Sequence, residues 1–340
     1  MSVKNILIIK LSAIGDVIHA LPVSYAIKET YPDAHVTWVV EPPAYNLLTN
    51  NPYIDEIIVF HKKEFKKKEG FKRHFAPLMR QLHARKYDIV LDLQGLAKSG
   101  ILAFLARGKK KIGTCDMREL SGLVSKQTVG KNAGGHIVER YLDVARAIGC
   151  RTEKIVFPIC ATQEEIDHAQ HCLAEGGADG AYAVLAVGTN WENKCWHPTS
   201  FAKLADWLKQ QGVTPVLVGG GAKDEARAKA ILANMHEKAV SLIGKTTLKE
   251  LSVVIQGACV FIGGDTGPAH MAAGLGVPTI ELMGPTDANR NGPYRQMNNA
   301  IEIDAECKHC WKRKCRKEID CLGQIAVEQV IDKVRPYLNA

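Results

Sequence analysis

Short apolar runs alternate with stretches of helical period along almost the whole chain. Residues 5–10 (NILIIK), 35–41 (HVTWVVE), 56–60 (EIIVF) and 87–95 (YDIVLDLQG) are apolar runs of strand length, and 110–114 (KKIGT) adds a short strand. Between them, residues 16–32, 75–86, 98–106 and 136–149 carry apolar side chains at helical spacing, with Gly149 closing the last of these helices. Strands that are apolar on both faces and alternate with helices predict a parallel sheet covered on both sides. Crossover handedness then makes the domain a doubly wound α/β fold. The pattern changes over residues 157–182 (FPICATQEEIDHAQHCLAEGGADGAY), a polar helix followed by a Gly-rich segment, where a linker is expected. A second series follows, with strands over 182–188, 214–220, 259–264 and 278–284. Its helices fall over 198–212, 223–235, 247–258, 267–276 and finally 324–338. The expected organisation is an N-terminal domain over 1–160, a linker over 161–180, a second domain over 181–322 and a C-terminal helical segment over 323–340.

Composition agrees with two cores: 340 residues, 46% hydrophobic and 24% charged. The first ten residues hold too short an apolar stretch for a signal peptide, and no segment approaches the ~20 apolar residues of a membrane span. A cytosolic protein is expected. The formal net charge of +8 is uneven, concentrated at 61–74 (HKKEFKKKEGFKRH) and 107–111 (RGKKK). Such blocks suit an anionic partner, whether a membrane surface, a phosphorylated lipid or a nucleic acid; a solvated loop is the plainer reading.

Ligands of doubly wound sheets bind outside the C-terminal strand ends, so the residues directly after strands carry the candidate chemistry. In LSAIGD, Ser12, Gly15 and Asp16 follow the first strand. Gly15 permits close backbone approach, and Asp16 can either cap the next helix or act as a general base; the pattern leaves both open. In GTNWENKCW, Thr189 and Asn190 offer donors, and Lys194, between Trp191 and Trp196, can serve as a point charge on a phosphate or sit as an exposed lysine beside packed indoles. In GGDTGPAH, Asp265, Thr266 and Gly267 open a helix whose backbone N–H groups and dipole make an anion site, with His270 one turn in. VGGGAKDE approaches a dinucleotide fingerprint, but Asp224 stands at its third glycine, which disfavours a nucleotide-dependent dehydrogenase or epimerase. Glu225 could accept from a ribose or base edge, or simply favour the first turn of its helix. There is no Walker lysine motif and no D-x-D pair, which together point to a pyrophosphate held by protein charge.

Near the end, CKHCWKRKCRKEIDC spaces Cys307, Cys310, Cys315 and Cys321 so that four thiolates could close a structural zinc site; reduced free thiols are the alternative.

Four segments, LSAIGDVIHALP, DLQGLAKSG (92–100), KCWHPTSFAKLADWL (194–208) and GGDTGPAHMAAGLGVPTIELMGPTD (263–287), occur in the order found in the ADP-heptose:lipopolysaccharide heptosyltransferases, which the chain resembles. The opening is more similar to heptosyltransferase I than to II. The resemblance implies a GT-B fold of two Rossmann-like domains facing a cleft, with an acceptor-binding first domain, a donor-binding second domain and a last helix returning to the first. It implies inverting, single-step transfer of heptose from ADP-heptose to a Kdo-lipid A type acceptor in inner-core biosynthesis, with no cofactor. Asp16 would be the base and Lys194 would stabilise the leaving ADP. Thr189, Asn190, Glu225, Asp265, Thr266, Gly267 and His270 would contact the donor. Asn190 departs from the family pattern, which has threonine there. Ser12, Gly15, Lys98 and Ser99 would face the acceptor. The lysine-rich loop over 62–73 would dock the protein on the inner leaflet of the inner membrane, and no nucleic-acid partner is implied.

Overall fold

The computed structural model describes residues 3–315, 317 and 319–338. The chain divides between Cys160 and Ala161 into two compact units, each built on one six-stranded sheet in which every strand pair is parallel. In the first unit the strands are β1 (Asn5–Ile9), β2 (His35–Val40), β3 (Glu56–Val59), β4 (Tyr87–Asp92), β5 (Gly108–Gly113) and β6 (Lys126–Gln127), in the order β3-β2-β1-β4-β5-β6. In the second they are β7 (Tyr182–Ala186), β8 (Thr214–Val218), β9 (Val240–Ser241), β10 (Val260–Gly264), β11 (Thr279–Met283) and β12 (Ala300–Glu302), in the order β12-β11-β10-β7-β8-β9. Both sheets are therefore doubly wound, as the apolar runs predict. The strand order reverses between β1 and β4 in one and between β7 and β10 in the other, the place where open α/β sheets generally bind ligands. Register places Ile9 beside Asp92, and Ala186 beside Gly263, at the two reversals.

Two expectations change. Residues 161–180 are not a free linker: Thr162 caps the helix Gln163–Gly176, accepting from Glu165 N–H at 3.2 Å, and the helix buries Ala169, Cys172 and Leu173 within the second unit. The lysine-rich stretch is only partly a loop, because Lys68 begins the helix Lys68–His83. Aromatic side chains hold it down, with Phe65 against Phe60 and Phe71 and with Phe71 stacked on Phe75 at 4.8 Å. At Gly70 a Cβ would lie 2.3 Å from the Glu64 carbonyl oxygen, so only glycine permits this return of the chain. The last helix, Val327–Val334, carries Val327, Val330 and Val334 on one face, and that stripe is buried in the core of the second unit beside Trp196, Phe201 and Leu322. The Trp196 indole N–H donates to the Ile325 carbonyl at 3.1 Å and fixes the approach to this helix. The final two residues of the expected 323–340 segment lie outside the described residues. Among the described residues no helix is long and apolar enough to cross a membrane.

Val330→Ala removes two buried carbons from a fully enclosed site and should cost ~2 kcal/mol of stability, read as a lower urea midpoint at unchanged slope. A change below a few tenths of a kcal/mol would show that the terminal helix is not part of this core.

Candidate active site

The strand reversal of the first unit is organised from beneath by Asp92, the last residue of β4. It is fully buried. Its Oδ1 accepts from the N–H groups of Gln94 (3.1 Å) and Gly95 (2.9 Å), and its Oδ2 accepts from the Ser99 hydroxyl at 3.0 Å. Burial pushes the Asp92 carboxyl up in pKa, against the opposing pull of these bonds and of buried Lys10. The turn needs a left-handed residue, supplied by Gly95 at φ +66°. It presents the Gln94 side chain, whose Oε1 accepts from the N–H groups of Leu11 and Ser12, each at 3.0 Å, and so ties the β4 loop to the β1 loop.

On this base, Lys98 Nζ donates to Ser12 Oγ at 3.0 Å and to Glu41 Oε1 at 2.6 Å; both charged side chains are mostly buried. Asp16 stands at the third position of the helix Ile14–Thr30, and its Oδ2 accepts from the Ala13 N–H at 3.1 Å. Ala13 has no side chain able to cap, so the carboxylate does part of that work itself while remaining half-exposed. The two readings of Asp16 are thus compatible. Ser12, Gly15, Asp16 and Lys98 lie together after β1 and β4. Ser99 does not join them as an acceptor contact: it is fully buried, with its hydroxyl on Asp92. Glu41 and Gln94 belong to the cluster and were not picked out from sequence, since nothing marks them until strand order is known.

In the second unit the loop after β7 folds on itself through Thr189. Its Oγ1 accepts from the Trp191 N–H at 3.0 Å and lies 2.6 Å from the Trp191 carbonyl, to which the hydroxyl donates. A short 3-10 turn, Glu192–Lys194, then sends Lys194 inward. Lys194 is only 8% exposed; its Nζ donates to Asp265 Oδ2 at 2.6 Å and lies 4.3 Å over the Trp191 ring. The close approach depends on Gly264, where a Cβ would fall 2.1 Å from the Lys194 carbonyl oxygen. Asp265 also accepts from Thr286 Oγ1 at 2.5 Å, and its Oδ1 lies 3.1 Å from His270 Nε2. Burial alone would raise the Asp265 pKa; the hydrogen bond and charge of His270, with those of Lys194, outweigh it and hold the carboxylate well below its usual range.

Thr266 caps the helix Gly267–Gly274, accepting from Ala269 N–H at 3.4 Å, so its N-terminus opens beside this pair. Behind them, on β11, Glu281 is fully buried, with Oε1 3.9 Å from His270 Nδ1. Burial and the neighbouring Asp265 charge, opposed by Lys194, raise its pKa well above the usual carboxylate range. A glutamate inside the apolar run TIELM is the signal that sequence reading passed over.

Asn190 is exposed beside this cluster in sequence. Glu225 is not drawn into it: it is exposed on the helix Ala222–Asn234 and pairs with Lys229 at 2.9 Å, which lowers its pKa. Asp224, at the third position of the broken fingerprint, accepts from Gly220 N–H at 2.9 Å and fills the space beside Gly188 and Gly219 where a fingerprint would leave room for a dinucleotide.

Among the described residues no disulfide joins Cys307, Cys310, Cys315 and Cys321 to one another. Cys321 is buried, and burial with the nearby Cys310, Cys315 and Cys307 thiols pushes it up to about 11. Among the described residues, the metal-type side chains that gather within 4.8 Å are Asp265 with His270 and Glu281, and Asp287 with Glu302 and His309; the cysteines form no such set.

The model of glycosyltransferase family 9 (heptosyltransferase) matches residues 75–319. Lipopolysaccharide heptosyltransferase 1 of Pseudomonas aeruginosa is 29% identical over 323 residues, covering 92% of this chain and 87% of that one. The glycosyl transferase family 9 structure from Veillonella parvula superposes with a TM-score of 0.84 at 25% identity, over 100% of this chain and 99% of that one. E. coli heptosyltransferase WaaC with ADP superposes with a TM-score of 0.77 at 26% identity, over 98% and 99% of the two chains.

Glu281 gives the second unit a pH signature. Because its folded pKa lies above the unfolded value near 4.5, the folded state holds the extra proton and wild-type stability falls as pH rises past that value. Glu281→Gln should gain on wild type by up to ~1.4 kcal/mol per pH unit above it, until Glu281 itself ionises. Urea unfolding of both proteins from pH 4 to 8 measures this, and parallel curves would refute a buried protonated carboxyl.

Proposed function

The chain belongs to glycosyltransferase family 9, the heptosyltransferases, and on that footing we propose that it moves heptose from ADP-heptose to an anionic Kdo-lipid acceptor in lipopolysaccharide inner-core biosynthesis, as a heptosyltransferase I. The observation that carries the donor half is the buried Lys194–Asp265 pair at the strand reversal of the second unit, set beside a helix N-terminus. A diphosphate bound there meets a lysine already oriented by Asp265, Thr286 and the Trp191 ring, and backbone N–H groups at Gly267. Asn190 and the Thr189 loop border the phosphates, and His270 orients Asp265.

The acceptor half rests on Asp16, Ser12, Gly15 and Lys98. Asp16 accepts the proton of the acceptor hydroxyl as its oxygen attacks the anomeric carbon of heptose. The carbon–oxygen bond to the diphosphate breaks in the same step, with inversion, and ADP departs with the electron pair toward Lys194. Lys98, held by Glu41, offers its cation to an acceptor phosphate or carboxylate, which would displace Glu41 as partner. The aromatic-anchored basic segment from Lys62 to Arg73 supports a peripheral position on the cytoplasmic face of the inner membrane, where basic residues add ~1 kcal/mol each.

Transfer from ADP-heptose to Kdo-lipid A, followed in the presence of EDTA, tests this. Asp16→Ala should lower kcat by ~10²–10⁴-fold with ADP binding retained, and Lys194→Ala should lose both ADP affinity and rate. Wild-type rates in Asp16→Ala would remove it as the base. Wild type that binds ADP without transfer would remove the acceptor assignment and leave the donor site standing.

A further inference from the structure

Large apolar side chains that stand clear of the surface are concentrated in one stretch of the first unit. Of eleven such residues among those described, five fall between 101 and 129 and are 60–83% exposed; the other six are only 37–45% exposed. Scattered exposed apolar residues are ordinary, whereas a contiguous group marks an interaction surface. Ile101 and Phe104 are one turn apart on the helix Ala97–Leu105 and share a face. Leu120 and Leu123 bracket the 3-10 turn Ser121–Leu123, three residues apart, where side chains eclipse. Helix and turn meet at Gly100, where an added Cβ would lie 3.3 Å from Ser121 Cα, so the two apolar pairs form neighbouring ridges.

The surroundings are basic. Residues 97–131 hold eight lysines and arginines against two acidic residues. Both acids are occupied: Asp116 by Arg140 at 2.9 Å, and Glu119 by the Ala97 N–H at 3.1 Å. Phe104 borders a shallow depression of about 310 Å³ whose rim also includes Lys86, Arg107, Lys109 and Lys111.

We propose that this ridge inserts into the headgroup and upper acyl region of an anionic bilayer, with the basic rim on the lipid phosphates. An apolar face flanked by cations fits that boundary, and each basic residue near an anionic surface strengthens binding by about fivefold. A second copy of the chain is the poorer occupant, since a two-fold contact would set the basic rim against itself. The inference rests on the reading that the acceptor is a membrane lipid and deepens it. Lys98, Ile101 and Phe104 follow at intervals of three on one helix, so insertion brings the bilayer to about 9 Å along the helix from Lys98. Insertion adds an apolar anchor to the charge-only docking of the segment from Lys62 to Arg73.

Sedimentation with vesicles of phosphatidylglycerol and phosphatidylethanolamine, free of any sugar acceptor, tests it. Wild type should bind these vesicles and bind phosphatidylcholine vesicles poorly, and part of the binding should survive 0.5 M salt. Phe104→Ser with Leu123→Ser should bind the anionic vesicles at least tenfold more weakly, while its melting temperature and its ADP affinity stay at wild-type values. Equal vesicle binding by the double variant would overturn the proposal. So would a wild-type dimer that the variant dissolves without loss of vesicle binding. Because the vesicles carry no acceptor, an error in the acceptor assignment leaves this result intact and appears only in the transfer assay.

Discussion

A lysine and an aspartate brought 2.6 Å apart in a nearly closed environment constrain most of the second unit. Two charges taken out of water cost several kcal/mol each, and their attraction compensates only when every remaining polar atom is satisfied. Asp265 meets that condition with contacts from Lys194, Thr286 and His270, and Lys194 meets it with Asp265 and the Trp191 face. The glycine pair that ends β10 follows from the same demand, because a side chain at Gly264 would collide with the Lys194 backbone. So does the state of Glu281: beside a carboxylate held ionised, a second buried carboxyl is driven toward its protonated form. A hydrophobic replacement of such a pair is commonly neutral or stabilising, so its presence is better explained by what it binds than by what it contributes to folding.

The first unit solves a similar problem with different parts. Its buried carboxylate, Asp92, shapes the turn that positions Gln94 and Lys98. The carboxylate left within reach of solvent is Asp16, which is bonded to its own helix start. Identical strand orders therefore carry unlike side chains: one unit presents a solvent-reaching carboxylate and a paired cation, the other a buried cation and a helix N-terminus.

Most of this fold was legible because parallel strands buried on both faces leave continuous apolar runs, and NILII, YAVLA and VFIGG are such runs. The short edge strands β6, β9 and β12 were missed, since two or three residues at a sheet edge carry no period. Residues 161–180 misled for another reason: a surface helix with a narrow apolar stripe, Ala169, Cys172 and Leu173, reads as polar until its partner helix Leu248–Gln256 is in place. At the sites, residues next to glycine-rich strand ends announced themselves, as Asp16, Lys194 and Asp265 did. Glu41, Gln94 and Thr286 did not, because their roles depend on which strands are neighbours. Glu225 stands on an exposed helix face paired with Lys229, and Ser99 lies beneath its turn bonded to Asp92, placements that only side-chain direction reveals.

In each unit a lysine just past a strand end is held by a carboxylate and a hydroxyl: Lys98 by Glu41 and Ser12, Lys194 by Asp265 and Thr286 acting through it. A free lysine loses close to 2 kcal/mol of rotamer freedom when a ligand fixes it, and these two have lost it during folding. The difference between them is burial. Lys98 and Glu41 keep some contact with water, so an arriving anion can exchange with Glu41 at little desolvation cost. Asp265 cannot leave Lys194 without stranding a buried charge, so a diphosphate bound as proposed would add to that pair instead of replacing the carboxylate. On the proposed reading, a lysine anchored in that way would offer a fixed positive end as negative charge builds on a departing phosphate oxygen, without reorganising at the moment the bond breaks.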